Sequence, residues 1–276
     1  MAGSLFIGIL LQLSPGFGQS AVIPADFMHQ DHHQGLQQLL DSAGVSGVIL
    51  VVDVQSGILF SNQLQLGNQQ HLPASTFKIP HSIIALETGV VQDENTLFEW
   101  DGQPRSLKVW ERDMMLSEAF QRSCVPCYQQ IASETGPERM KHWLELLGFG
   151  SMDVTPDNIS TFWLEGHSRI TPFQQLDFMI RFYRSQLPIK PSTTEIMKNM
   201  MVIEDHQQWR LSGKTGWAIR QNNNTGWFTG YLEKQGQVYF VVTCIEPDEK
   251  FDMKMFHLVR QQISMEAFRI LKIIET

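Results

Sequence analysis

The sequence predicts an α/β fold: an α+β sandwich whose antiparallel sheet is built from both chain ends and flanked by helices, with an inserted helical lobe. Three observations carry this. Val45 to Val54 is rich in β-branched residues, and after Gly57 a second strand-like run covers Ile58 to Ser61. Three further runs, Trp209 to Ile219, Thr225 to Glu233 and Val238 to Ile245, lie near the C-terminus, split by polar turns. From Pro80 to about Asp205 the period is helical instead. Early and late strands that bracket a helical middle join most simply into one sheet.

The elements follow in order. Phe27 to Ala43 reads as a polar helix whose His29, His32 and His33 form a solvated face, because no Cys or carboxylate completes a metal-binding set. Val45 to Ser61 reads as a β-hairpin. In the helical lobe, Gly136-Pro137 starts a helix, with the proline near the first helical position. Met140, Trp143, Leu144 and Leu147 then recur at the spacing of a buried stripe, and Gly148 stops it. Another helix covers about Pro172 to Ser185, and Phe256 to Ile274 closes the chain as an amphipathic helix. Residues 21–276 therefore read as one domain, with the helical lobe at about 80–205.

Residues 1–20 read differently. Leu5 to Leu13 is a short apolar run followed by Pro15 and small residues. That suits a signal peptide better than a membrane span, which needs about 20 apolar residues. No Lys or Arg precedes the run, so the signal is atypical. It predicts a periplasmic or secreted protein with no stable membrane span.

Composition narrows the function. The chain has 276 residues, 42% hydrophobic and 18% charged, which is the balance of a globular protein. The net charge of -8 argues against a nucleic-acid partner, since phosphates call for a basic face. Three cysteines, Cys124, Cys127 and Cys244, are too few for a disulfide framework. Cys124-Val125-Pro126-Cys127 matches C-x-x-C, but no second pair completes a zinc site. The plain reading is two small buried residues one helical turn apart, able to pair in an oxidising compartment.

The chemistry centres on Pro73-Ala74-Ser75-Thr76-Phe77-Lys78, an S-x-x-K segment where a helix begins. Residues three apart share a helix face, so the Lys78 amine can reach the Ser75 hydroxyl. A serine is a poor nucleophile until a base takes its proton, and N–H donors at a helix start suit a developing oxyanion. Ser123-Cys124-Val125, on a helix candidate, follows 48 positions after Ser75, and Lys214-Thr215-Gly216 stands 91 positions beyond that on a strand. Lysine, hydroxyl and glycine on an edge strand supply charge, a hydrogen bond and room for a substrate.

S-x-x-K, S-x-V and K-T-G in that order resemble the penicilloyl-serine transferase superfamily, and specifically the class D (oxacillinase-type) serine β-lactamases. LPASTFKIP around the nucleophile, TFWLEG at Trp163, KTGW at Lys214 and GWFTGYLE at Trp227 carry the likeness. It implies a β-lactam substrate, an active site between sheet and helical lobe, and a hydrolase that confers antibiotic resistance. It also implies that CO2 or bicarbonate is consumed to carboxylate Lys78, with no other cofactor and no metal. A free lysine, with a pKa of about 10.4, is cationic and cannot act as base, whereas a buried neutral amine can react with CO2. By resemblance Trp163 Nε1 and the Ser75 hydroxyl hold the carbamate, and Val125 and Phe77 keep the pocket dry. The Ser75 and Trp217 N–H groups form the oxyanion hole, Ser123 relays a proton, and Lys214, Thr215, Gly216 and Arg260 meet the substrate. Arg260 reads almost equally well as a solvated helix residue. The oligomer stays open between monomer and homodimer. Two other readings share this fold: a non-hydrolytic β-lactam sensor domain, and a D,D-peptidase, against which the segments at Trp163 and Trp227 argue. Phe149-Gly150-Ser151 departs from the Tyr-Gly-Asn that the family often shows there.

Overall fold

A computed structural model describes residues 29–220 and 223–275. The elements are β1 (His29–His32), α1 (Gln34–Ala43), β2 (Val45–Asp53), β3 (Ile58–Ser61), α2 (Lys78–Glu87), β4 (Leu97–Phe98), β5 (Met114–Met115) and α3 (Leu116–Gln121). They continue as α4 (Val125–Thr135), α5 (Pro137–Leu147), α6 (Pro172–Tyr183), α7 (Pro191–Met200), β6 (Val202–Asp205), β7 (Arg210–Arg220), β8 (Asn223–Lys234), β9 (Gln237–Pro247) and α8 (Phe256–Ile270).

The main sheet has the order β1-β3-β2-β9-β8-β7-β6. Strands from both chain ends meet at β2 and β9, which pair antiparallel from Val45↔Pro247 to Asp53↔Tyr239. The predicted fold class therefore stands, with one parallel exception at β1 and β3. That exception corrects the expected helix over Phe27 to Ala43. His29 and His32 lie on β1, which occupies the free edge of β3, and helix begins only at Gln34. Phe27 lies outside the described residues, as does the signal-peptide reading of residues 1–20.

Period-2 alternation divides the core into two layers. Val48, Leu50 and Val52 of β2, with Phe240 and Val242 of β9, face α2, α4 and α6. Val45, Ile49 and Val51, with Val241 and Ile245, face α1 and α8. Each such side chain contributes roughly 1.5–3 kcal/mol on burial, so a one-residue slip of either strand would expose both layers.

The helical middle keeps its expected punctuation. Thr171 and Gln174 cap α6 reciprocally, with Pro172 at its first position. Met140, Leu144 and Leu147 of α5 are buried, and Gly148 ends that helix at φ 61. Unexpected from the sequence is the small sheet of β4 and β5 within this stretch. The C-terminal helix stops at Ile270, short of the expected Ile274.

Candidate active site

Ser75 sits in a 3-10 turn, Ala74–Phe77, directly before α2, rather than inside a helix. Ala74 there adopts φ 49, a left-handed conformation that costs a non-glycine residue about 1–2 kcal/mol. The surroundings fix it. Ala74 N–H donates to the Trp163 carbonyl at 3.0 Å. The Thr76 hydroxyl donates to the Pro73 carbonyl at 2.6 Å and accepts from Gln175 Nε2 at 2.6 Å. Trp227 Nε1 donates to the Leu72 carbonyl at 2.9 Å. Sheet, α6 and the Trp163 loop thus clamp the nucleophile turn from three sides.

Lys78 is the first residue of α2 and is completely buried. Its Nζ donates to Ser75 Oγ at 3.3 Å and lies 4.8 Å from the Tyr128 ring centroid. Burial, and secondarily the charge of Lys214, push its pKa well below the ordinary lysine value. Burial thus works against the charged form of this amine. Trp163 stacks on Phe77 with centroids 5.9 Å apart and is also fully buried. Its Nε1 has no hydrogen-bond partner. A buried donor left idle in the aromatic pocket that holds the Lys78 amine fits an anionic carbamate on Nζ, which would need such a donor.

Ser123 does not lie on a helix, as the sequence suggested. It occupies the link between α3 and α4 at φ 53. The kink turns its hydroxyl to Lys214 Nζ, which donates to it at 2.6 Å. Lys214 is nearly buried, and that burial, with the Arg260 charge as the lesser cause, lowers its pKa to about 7. Val125 begins α4 at a half-buried position. Cys124 and Cys127 are bonded to each other, the pairing that the sequence left open, and of the two only Cys127 lies in the helix. Cys124 precedes the helix, where its Sγ can approach Cys127.

The edge of β7 opens beyond Ser212, the last residue that β6 pairs. Gly213 N–H donates to the Met201 carbonyl on that side. By the alternation of strand hydrogen bonds, Thr215 and Trp217 direct their N–H groups to the same open edge, beside the nucleophile turn. Gly216 leaves little room there: a Cβ would stand 3.1 Å from Thr76 Cγ2 and 3.2 Å from the Pro73 carbonyl oxygen.

Arg260 is buried rather than solvated. Its guanidinium donates to the carbonyls of Gly216 at 2.5 Å, Phe256 at 3.1 Å and His257 at 3.0 Å. It ties α8 to the strand that carries Lys214. Phe149 replaces a polar role with packing, 4.8 Å from Phe178 and 5.8 Å from Phe77 between centroids. Sequence reasoning missed Gln175, Tyr128 and His81. Each is a polar side chain in an otherwise apolar helical stripe, which was the available signal.

The paired Ser75 and Lys78, the Lys214–Ser123 bridge and the open β7 edge define a serine acyl-transfer enzyme. Residues 45–264 match the family of the penicillin binding protein transpeptidase domain, and the chain belongs to that family. Within it, the chain belongs to the class D β-lactamases, a group of serine hydrolases. It is 37% identical over 209 residues to β-lactamase OXA-10 of Pseudomonas aeruginosa, covering 75% of this chain and 78% of that one. It is 35% identical over 228 residues to β-lactamase OXA-48 of Klebsiella pneumoniae, covering 83% and 84%. Among solved structures, a class D β-lactamase from Sebaldella termitidis superposes with TM-score 0.84 at 32% identity, covering 90% of this chain and 99% of that one. One from Nostoc gives 0.81 at 36% identity, covering 86% and 98%.

Proposed function

We propose that the protein hydrolyses the lactam ring of penicillin-type antibiotics through an acyl-enzyme on Ser75, and so confers resistance to them. The single observation that carries this is the fully buried Lys78 amine, its pKa pushed well down by that burial, at 3.3 Å from Ser75 Oγ in a pocket that also holds the idle Trp163 donor. Reaction of Lys78 with CO2 converts the amine into an anionic base. With that base in place, Ser75 loses its proton and attacks the lactam carbonyl. The N–H groups of Ser75 and Trp217 receive the developing oxyanion. Ser123 gives its hydroxyl proton to the leaving nitrogen and takes up in exchange the proton that the base drew from Ser75, so the base is free again, with Lys214 stabilising the Ser123 oxygen. Lys214, Thr215 and Gly216 line the edge where the substrate carboxylate docks, and Arg260 holds that edge in place while adding positive charge behind it. Val125 and Phe77 limit water at the base. The same lysine then activates the water that releases the product, which separates a hydrolase from a sensor that stays acylated.

The apolar run at Leu5 to Leu13 and the disulfide favour export to the periplasm or the medium. Mass spectrometry of protein mixed with a penicillin tests the reading. A transient adduct on the Ser75 peptide, with turnover sustained by bicarbonate, is expected. A permanent stoichiometric adduct would establish the sensor alternative instead.

A further inference from the structure

The pocket behind Ser75 contains a histidine that the proposed reaction does not use. His81 stands one turn beyond Lys78 on α2 and is completely buried. Neither of its ring nitrogens has a hydrogen-bond partner. Its ring centroid lies 5.1 Å from that of Trp163, 5.2 Å from Tyr128 and 5.3 Å from Phe77. Lys78 Nζ rests against the same Tyr128 ring, 4.8 Å from its centroid. A neutral imidazole carries one N–H donor and one lone pair. Burying both without partners is an arrangement that folded proteins avoid.

Tyr128 does not supply the missing contact. Its hydroxyl is already paired with Ser82 Oγ at 2.5 Å, and Ser82 Oγ in turn donates to the Lys78 carbonyl at 2.8 Å. Among the described residues, the buried nitrogens without a partner in this aromatic cluster are those of His81 and Trp163 Nε1. Two N–H donors, on two walls of one dry pocket, match an anion with two oxygens attached to Nζ. The Ser75 hydroxyl and Trp163 Nε1 together leave at least one accepting position on those two oxygens open, and a buried unfilled position disfavours the anion.

We infer that His81 is a positioning residue for the lysine base: its ring N–H donates to one oxygen of carboxylated Lys78 while Trp163 Nε1 holds the other. This rests on the carboxylated-lysine reading above. In that reaction the neutral Lys78 nitrogen forms a bond to the carbon of CO2. One C–O π pair moves to oxygen, and the nitrogen gives up a proton to solvent, leaving one negative charge. His81 takes no proton in this exchange. Burial holds its pKa well below the usual histidine value, and the role asks of it only one ring N–H.

The test uses the whole protein, freed of CO2 and titrated with 13C-bicarbonate. Carbamyl 13C intensity and penicillin hydrolysis are read together in wild type, His81→Leu, His81→Asn and His81→Gln. The two amides place an N–H near the positions of Nδ1 and Nε2 respectively. His81→Leu is expected to need at least tenfold more bicarbonate for half of the carbamyl signal. Its kcat should recover at saturating bicarbonate with KM unchanged, and one of the amides should restore the wild-type midpoint. If His81→Leu does not fold, His81→Phe replaces it, since a ring keeps the aromatic cage filled. A folded variant lacking the donor that titrates at the wild-type midpoint overturns the inference. Absence of any carbamyl signal in the wild type overturns the Lys78 reading itself, and the inference with it.

Discussion

Lys214 Nζ donates to Ser123 Oγ across 2.6 Å, joining β7 to the link between α3 and α4 over 91 residues of sequence. The contact exists because Ser123 accepts a left-handed backbone at φ 53. That gives a way to separate chemistry from stability. Ser123→Ala keeps the strain and removes the hydroxyl, whereas Ser123→Gly removes both. Acylation by a penicillin should slow by about 10²–10⁴ in each. Ser123→Gly should nonetheless be the more stable of the two, by up to about 1 kcal/mol. Stopped-flow burst rates and urea midpoints read the two effects; an unchanged burst in both would remove Ser123 from the proton path.

Stability should rise with pH above neutrality. Lys214 titrates near 7 in the folded protein, against about 10.4 unfolded. Between those values the unfolded chain binds more protons, so raising the pH favours the folded state. The gain is at most about 1.4 kcal/mol per pH unit from this group. Lys78, shifted in the same direction, adds to it. Denaturation midpoints at pH 7, 8 and 9 should climb, and Lys214→Met should flatten part of the slope. Midpoints that fall over this range would mean that these lysines keep their protons when buried.

Trp163→Phe isolates the idle indole donor. The phenyl ring can keep the stack on Phe77, and no existing hydrogen bond is lost, because Nε1 has no partner. The cost in stability is therefore limited to the smaller ring, about 1–2 kcal/mol. Turnover should nevertheless collapse by two orders of magnitude or more and return in part at high bicarbonate. Loss of fold rather than of bicarbonate affinity would make Trp163 a packing residue.

These elements show what the sequence could convey. Strands β7 to β9 and the β2–β3 hairpin were legible, because β-branched runs broken by polar turns have few other solutions. Ser75 and Lys78 were legible because Ser123 and Lys214 follow them in order; S-x-x-K by itself is a weak pattern, since a serine cap with a nearby lysine is common. The left-handed kinks at Ala74 and Ser123 were not, since tertiary contacts such as the bond from Ala74 N–H to the Trp163 carbonyl impose them. His29 and His32 looked helical because their polar pattern carries no sign of the free β3 edge that captures them. Arg260 stayed open between a substrate contact and a solvated helix residue, because nothing local points to the Gly216 carbonyl.

The Cys124–Cys127 disulfide closes the start of α4 one residue after Ser123. Cys124 Sγ also accepts from Cys127 N–H at 3.2 Å, so the bridge stands where a capping side chain would. Its loop is short, and the constraint it puts on the unfolded chain contributes only about 2 kcal/mol. The larger consequence is local. The residue before the bridge holds a strained backbone, and the residue after it, Val125, begins the wall beside the base. Reduction should lower the melting temperature by a few degrees while slowing acylation far more than that loss implies. The double variant Cys124→Ala, Cys127→Val should behave as the reduced protein does and be indifferent to dithiothreitol. Melting curves and burst rates with and without reductant, with alkylation to count free thiols, decide it. A reduced protein with three alkylated thiols, Cys244 included, and an unaltered burst would show that Ser123 is held by Lys214 alone.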